Sequence, residues 1–193
     1  TWRHAGLEGS HHIGRVIIDR VNPDRMWVAA LGELYSDNLG GALYRTTDGG
    51  AQWEAVLTVP GVGFVDMVAD ETDADHLFAA SWDRTRRAHE FTEGGTGSGI
   101  WESTDGGDSW ARISADNDFP EGPDAGRIGL SYHSATGTLF ALIDNETTDS
   151  PAVDLLAKCP NDFVLERFLF GDRLGKYRVN PHGVGFTRNG KRL

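Results

Sequence analysis

An eight-residue phrase occurs twice, as Thr46-Thr47-Asp48-Gly49-Gly50-Ala51-Gln52-Trp53 and as Ser103-Thr104-Asp105-Gly106-Gly107-Asp108-Ser109-Trp110, each time directly after an alternating apolar segment. The two copies share a small hydroxyl residue (Thr46, Ser103), an Asp two places on (Asp48, Asp105), a Gly two beyond that (Gly50, Gly107) and a Trp three further (Trp53, Trp110). Asp accepts backbone N–H bonds in a turn, and the glycine after it permits the positive φ of a tight hairpin. A Trp opening the returning strand buries a large area while its indole N–H needs one acceptor, and truncating such a residue to Ala costs roughly 3–5 kcal/mol. The phrase therefore reads as a structural staple: Asp48 and Asp105 hold turns, and Trp53 and Trp110 pack sheets.

The text around the phrase repeats more loosely. Arg15-Val16-Ile17-Ile18-Asp19, a turn, and Met26-Trp27-Val28-Ala29-Ala30 align with Asp66-Met67-Val68-Ala69-Asp70, a turn, and Leu77-Phe78-Ala79-Ala80-Ser81. A third pair follows at Arg127–Tyr132 and Leu139–Ile143. Each is two short β-rich runs separated by turn residues, the signal of an antiparallel hairpin. Gly41–Arg45 with Trp53–Leu57, and Ile100–Glu102 with Trp110–Ile113, complete four strands in the first two units. A self-similar unit of four strands, whose Asp recurs 57 positions later, is the signature of a propeller blade.

On these residues the chain resembles the Asp-box (BNR-repeat) β-propellers, among them sortilin-like domains and large bacterial secreted proteins named as glycosyl hydrolases. The expected fold is all-β, a propeller fragment of four-stranded antiparallel blades joined by Asp-box hairpins. Residues 1–12 are expected to hold the last strand of a preceding blade and a linker, because Thr1-Trp2 matches the end of the same phrase. Residues 13–60 and 61–124 are each expected to form a blade, and 125–146 the inner half of a further one. Residues 147–193 break the pattern and read as an irregular tail or an insertion. Within them Pro160-Asn161-Asp162 and the apolar residues up to Leu169 allow a helix over 161–170. Open blades expose strand edges and apolar faces, so closure is expected from remaining blades or from self-association.

Composition narrows the partners. The formal charge is −11, with +4 in residues 151–193 and −15 in the rest. An acidic body lacks the basic stripes that nucleic-acid binders show, so no nucleic acid is expected. No apolar run approaches the roughly 20 residues that span a membrane, and Thr-Trp-Arg-His at the start does not read as a signal peptide. The resemblance implies a secreted or periplasmic setting. The single Cys159 offers no disulfide, and no zinc or EF-hand pattern occurs, so neither metal nor cofactor is expected. Gly95-Thr96-Gly97-Ser98-Gly99 meets no nucleotide or nucleophile-elbow spacing and reads as a flexible loop.

Ligand contacts are sought in the long connection Ser81–Gly95, since loops between rigid strands collect binding groups. Its three Arg, one His, two Glu and two aromatics can clamp an anionic or sugar-like ligand, with Arg86, Arg87 and Glu90 as the leading contacts. Arg15 and Arg127, near the starts of first strands, join them as candidates. The resemblance implies a noncatalytic scaffold or recognition module for protein or glycan. The alternative is part of a sialidase-like exo-glycosidase, which needs three Arg, a Tyr–Glu pair and an Asp acid on the propeller axis. No such set can be assigned here, so the chain alone is expected not to be catalytic.

Overall fold

The computed structural model describes residues 3–35, 40–115 and 119–145 together with the strand Val164–Phe168. The described residues contain strands and turns but no helix. Strands β1 (Ile13–Ile18), β2 (Met26–Ala30), β3 (Ala42–Thr46) and β4 (Glu54–Leu57) form one four-stranded sheet in sequence order. Strands β5 (Gly63–Ala69) and β6 (Leu77–Trp82) begin a second sheet, and the ribbon β7 (Thr85–Arg87) and β8 (Glu90–Thr92) projects from it. Strands β9 (Gly99–Ser103) and β10 (Ala111–Arg112) then complete that sheet in the order β5-β6-β9-β10. Strands β11 (Ala125–His133) and β12 (Thr138–Asn145) make the inner hairpin of a third. All neighbours within the first two sheets are antiparallel. The innermost strand of each sheet packs on that of the next, β1 on β5 and β5 on β11. This is the arrangement of successive blades in a β-propeller.

The second sheet is covered on both faces, which explains its near-continuous apolar strands. In β6, Leu77 and Ala79 join a core with Trp27, Ala29 and Leu43 of the first sheet. Phe78 and Ala80 join a second core with Ile128, Leu130, Leu139 and Ile143 of the third. Strand β5 keeps to both cores through a bulge between Phe64 and Asp66. The extra residue, Val65, goes to the third-sheet side, while Phe64 and Met67 both face the first sheet despite their odd spacing. Bulges recur near the starts of β1 and β11. The outer face of the first sheet is less covered, with Val16 and Ile18 51% and 55% exposed.

Asp66 sits beside the β5 bulge, 8% exposed, and stitches the three inner strands. Its Oδ1 accepts Arg15 Nε of β1 at 2.8 Å and the Met67 N–H at 2.9 Å. Its Oδ2 accepts the Leu130 N–H of β11 at 2.9 Å. A second device repeats at the β1–β2 and β5–β6 turns, where a cation meets an Asp and the aromatic residue two places on. Arg25 binds Asp19 and lies 4.9 Å over the Trp27 ring. His76 packs on Phe78 beside Asp70 and binds Glu102 at 2.9 Å. That bond raises the imidazole above its ordinary value against the pull of burial.

The repeated phrase forms two closely matching turns. Thr46 Oγ1 donates to Asp48 Oδ1 (2.8 Å) and accepts the Gly50 N–H (3.0 Å), while Asp48 Oδ1 accepts the Gln52 N–H (2.9 Å). Ser103, Asp105, Gly107 and Ser109 repeat the set at 2.7, 2.9 and 2.9 Å. Gly49–Gly50 and Gly106–Gly107 all have φ between 71° and 94°, a region closed to most side chains. Trp53 and Trp110 are partly buried, their indoles donating to Ala5 O and Gly107 O. Among the described residues the fully buried tryptophan is Trp27, which lies outside the phrase. Its indole binds Gly106 O at 3.0 Å, and Arg45 binds the same carbonyl and Asp108. The second turn is thereby clasped by the first sheet.

Residues 164–168, read from spacing as helical, are instead strand β13 (Val164–Phe168), paired parallel to β12. The spacing Val-Leu-Glu-Arg-Phe fits either state, and the open edge of β12 supplies the backbone partners that select the strand. The expectations for Thr1-Trp2, 147–163 and 169–193 lie outside the described residues.

Two outcomes follow for stability. Asp66→Ala leaves two buried N–H groups without acceptors and should cost about 2–4 kcal/mol by urea unfolding, whereas Arg15→Met removes a half-exposed pair and should cost about 1 kcal/mol or less. Equal losses in the two variants would sink the stitch. Asp105 is held down to about 2 from 3.8, first by Ser109 hydroxyl and N–H bonds and then by Ser103. A depressed carboxyl stabilises the fold above its unfolded pKa and loses that contribution as pH falls toward the folded one. The urea midpoint should therefore drop between pH 4 and pH 2, and Ser109→Ala should shift the Asp105 carboxyl titration upward.

Candidate functional site

One rim of the array is built by the β2–β3 and β6–β9 connections and the start of β11, so three sheets contribute. The β6–β9 connection is anchored before it projects. Asp83 Oδ2 accepts the Gly97 N–H at 3.0 Å, the Asp83 N–H donates to Ser98 Oγ at 3.0 Å, and Ser98 is fully buried. Arg112 of β10 donates to the Ser98 and Thr96 carbonyls, and the Gly95 N–H donates to Ala125 O of the third sheet. A Cβ on Gly95 would fall 2.2 Å from Asp83 Oδ2. The glycine-rich stretch, expected to be flexible, is thus a close-packed plinth. Its glycines serve close approach rather than freedom.

From that plinth rises the β7–β8 ribbon, whose register sets Arg86 opposite Phe91 and Arg87 opposite Glu90. The Arg86 guanidinium lies 5.0 Å from the Phe91 ring centre and 5.6 Å from that of Tyr35. Phe91 and Tyr35 are 43% and 65% exposed. Beneath them Trp82 donates its indole N–H to Glu93 O at 2.6 Å and carries two guanidinium groups over its ring, Arg84 at 5.4 Å and Arg127 at 5.7 Å. Arg84 is buried, 7% exposed, and among the described residues donates to the carbonyls of Leu34 and Glu33 at 3.4 and 3.3 Å. Burial, and then the charge of Arg86, pull it below the ordinary guanidinium value.

Of the residues singled out from sequence, Arg86, Arg87, Glu90 and Arg127 come to this rim. Arg15 does not serve it, because its side chain is spent on Asp66. Sequence reasoning passed over Tyr35, which sits in a different connection, and counted Arg84 among the three Arg of its loop without singling it out, because its burial has no local signal in a polar stretch.

A concavity of about 460 Å³ runs along the inner strands, away from the rim, lined by Arg15, Val16, Asp19, Asp70, Glu71 and Tyr132 among others. Its carboxylates are already engaged. Asp19 is lowered, first by the Val21 N–H, and also binds Arg25. Burial pushes Asp70 up, but Thr72, Ser134 and His76 outweigh it and leave the carboxyl low. Glu71 binds Arg20 at 2.9 Å. Carboxyls held low are ionised at neutral pH and do not serve as general acids.

No family model matches the sequence, and no curated protein matches it. Among solved structures the chain is similar to an ancestral GH74 enzyme, at TM-score 0.48 and 13% identity over 84% of this chain and 19% of that one. It is also similar to a GH74 xyloglucanase from Xanthomonas campestris, at TM-score 0.40 and 18% identity over 68% and 20% of the two chains. A GH74 enzyme from Niastella koreensis gives TM-score 0.39 and 15% identity over 82% and 24%. The chain thus spans about a fifth to a quarter of the length of these structures. No helix among the described residues is long and apolar enough to cross a membrane.

The plinth makes its own prediction. Gly95→Ala should displace Asp83 and cost about 1–3 kcal/mol, as overpacking does. Amide exchange should quicken at Asp83 and Gly97, and unchanged exchange there would mean that the anchor is not what holds the ribbon.

Proposed function

We propose that this chain is a glycan-recognition arc of an Asp-box β-propeller, acting as a binding surface rather than as a catalyst on its own. The observation that carries the reading is the rim on which Tyr35, Phe91 and Trp82 gather with Arg84, Arg86 and Arg127, supported by an anchored plinth. Solvent-exposed aromatic rings grouped with polar side chains mark a binding site more often than a packing surplus. Flat rings suit the apolar faces of sugar rings, and guanidinium groups supply donors for hydroxyl and carboxylate oxygens. In this reading the two staple turns are Asp-boxes and play no part in binding. The exposed apolar face at Val16 and Ile18 is covered by further blades or by another copy, and the protein acts where extracellular glycans are reached.

The exo-glycosidase reading draws no support from the inner-strand groove, whose Asp19 and Asp70 are held ionised and whose Arg15 is tied to Asp66. A panel of soluble oligosaccharides, neutral xyloglucan fragments and acidic galacturonate fragments, tests the proposal by calorimetry. Phe91→Ala with Tyr35→Ala should weaken the binding found about tenfold or more, corresponding to about 1.4 kcal/mol, with thermal unfolding unchanged. Binding that survives this double variant would move the site away from the rim.

A further inference from the structure

Among the described residues, the arginines that are partly or wholly buried follow a rule with one exception. Arg25 holds Asp19 and Asp75, Arg45 holds Asp108 and Glu54, and Arg112 holds Glu121, with their side chains 17–26% exposed. Arg84 is more deeply buried than any of these and has no salt bridge among the described residues. Among the described residues its Nε has no hydrogen-bond partner, and its terminal nitrogens make two long bonds to carbonyls. Arg45 Nε also lacks a partner, but its two terminal nitrogens are bound to carboxylates. The acid next to Arg84 in sequence, Asp83, spends its carboxylate on the Gly97 N–H, and the Glu33 carboxylate lies toward His11 at 3.9 Å. Taking a cation out of water without a counter-charge is costly, and buried charges are ordinarily paired. Two further cations crowd the same place, Arg127 over the same Trp82 ring as Arg84 and Arg86 close enough to perturb Arg84.

We propose that Arg84, with Arg127 and Arg86 beside it, forms a carboxylate-binding subsite of the rim, so that the glycan recognised there is an acidic one carrying a uronate-type carboxylate. The inference rests on the glycan reading above for the sugar and on Arg84 for the charge. A planar carboxylate matches the guanidinium fork and would supply the acceptor that Arg84 Nε lacks. Trp82 then acts as the platform that holds two of the guanidinium groups in place through cation–π contact.

The test uses the full chain with trigalacturonate, its neutral methyl ester and sodium acetate, read by calorimetry and by the arginine Nε–H signals in nitrogen-15 spectra. The acid should bind at least tenfold tighter than the ester and should shift the Arg84 Nε signal. Arg84→Lys, which keeps the charge but loses the fork, should remove most of that preference. Arg127→Met, at an exposed position that does not threaten folding, should reduce it severalfold. Equal affinity for acid and ester would overturn the carboxylate subsite and leave the glycan reading standing. Acetate moving Arg84 Nε while no sugar binds would support the subsite and sink the glycan reading. An Arg84 signal unmoved by all three probes would overturn the subsite outright.

Discussion

The carboxylate of Asp66 is the point on which the array turns. A propeller's inner strands belong to different sheets and share no ladder hydrogen bonds, so their mutual position must come from side chains or from packing alone. Asp66 satisfies two backbone N–H groups and one guanidinium, reaching across 51 residues to Arg15 and 64 to Leu130. It does so from a place where the chain is irregular. The bulge at Val65 both re-aims β5 so that it can feed two cores and interrupts its ladder next to the Met67 N–H that Asp66 accepts.

What this stitch does on the inner side, the Gly106 turn does on the outer side. Gly106 O takes the indole of Trp27 and the guanidinium of Arg45, and the Gly106 N–H donates to Asp75 O. The matching Gly49 N–H donates to Asp24 O, so each turn is tied to the hairpin of its own sheet. Each staple therefore fixes its own hairpin, and the second also offers a carbonyl to the neighbouring sheet. With both ends of the sheet-to-sheet contact held, the connections between them are free to vary, and the rim draws on three of them.

The repeated phrase was legible because its chemistry is local: every bond that closes the turn lies within four residues. The strands were legible for the same reason, since alternation needs no knowledge of partners. Asp66 was not, because an Asp in an apolar strand looks the same whether it faces water or three inner strands. The matched pairs Arg25–Asp19 and His76–Asp70 were hidden by a change of residue type at an equivalent position, although the aromatic two places on, Trp27 and Phe78, marks both. The strand at 164–168 turned on a long-range edge that spacing alone does not encode. At the rim, Arg86 and Arg87 were found by the composition of their loop and Arg127 by its place near the start of a strand, whereas Arg84 needed burial to distinguish it.

The contrast between rim and body bears on how such a site would select. The chain carries a net −11, so an approaching anion meets a repulsive field at long range, and at physiological ionic strength that field decays over about 8 Å. Steering is therefore not the source of affinity, and exposed cations alone would be largely offset by the surrounding acids. A guanidinium withdrawn from solvent escapes that offset, because its interaction with a bound carboxylate is screened far less than a surface pair's. Arg84 has that position, and the exposed Arg86 and Arg127 flank it. Recognition of this kind rewards a carboxylate that fits within contact distance and ignores one that merely passes nearby, which is the discrimination an acidic protein needs among polyanions.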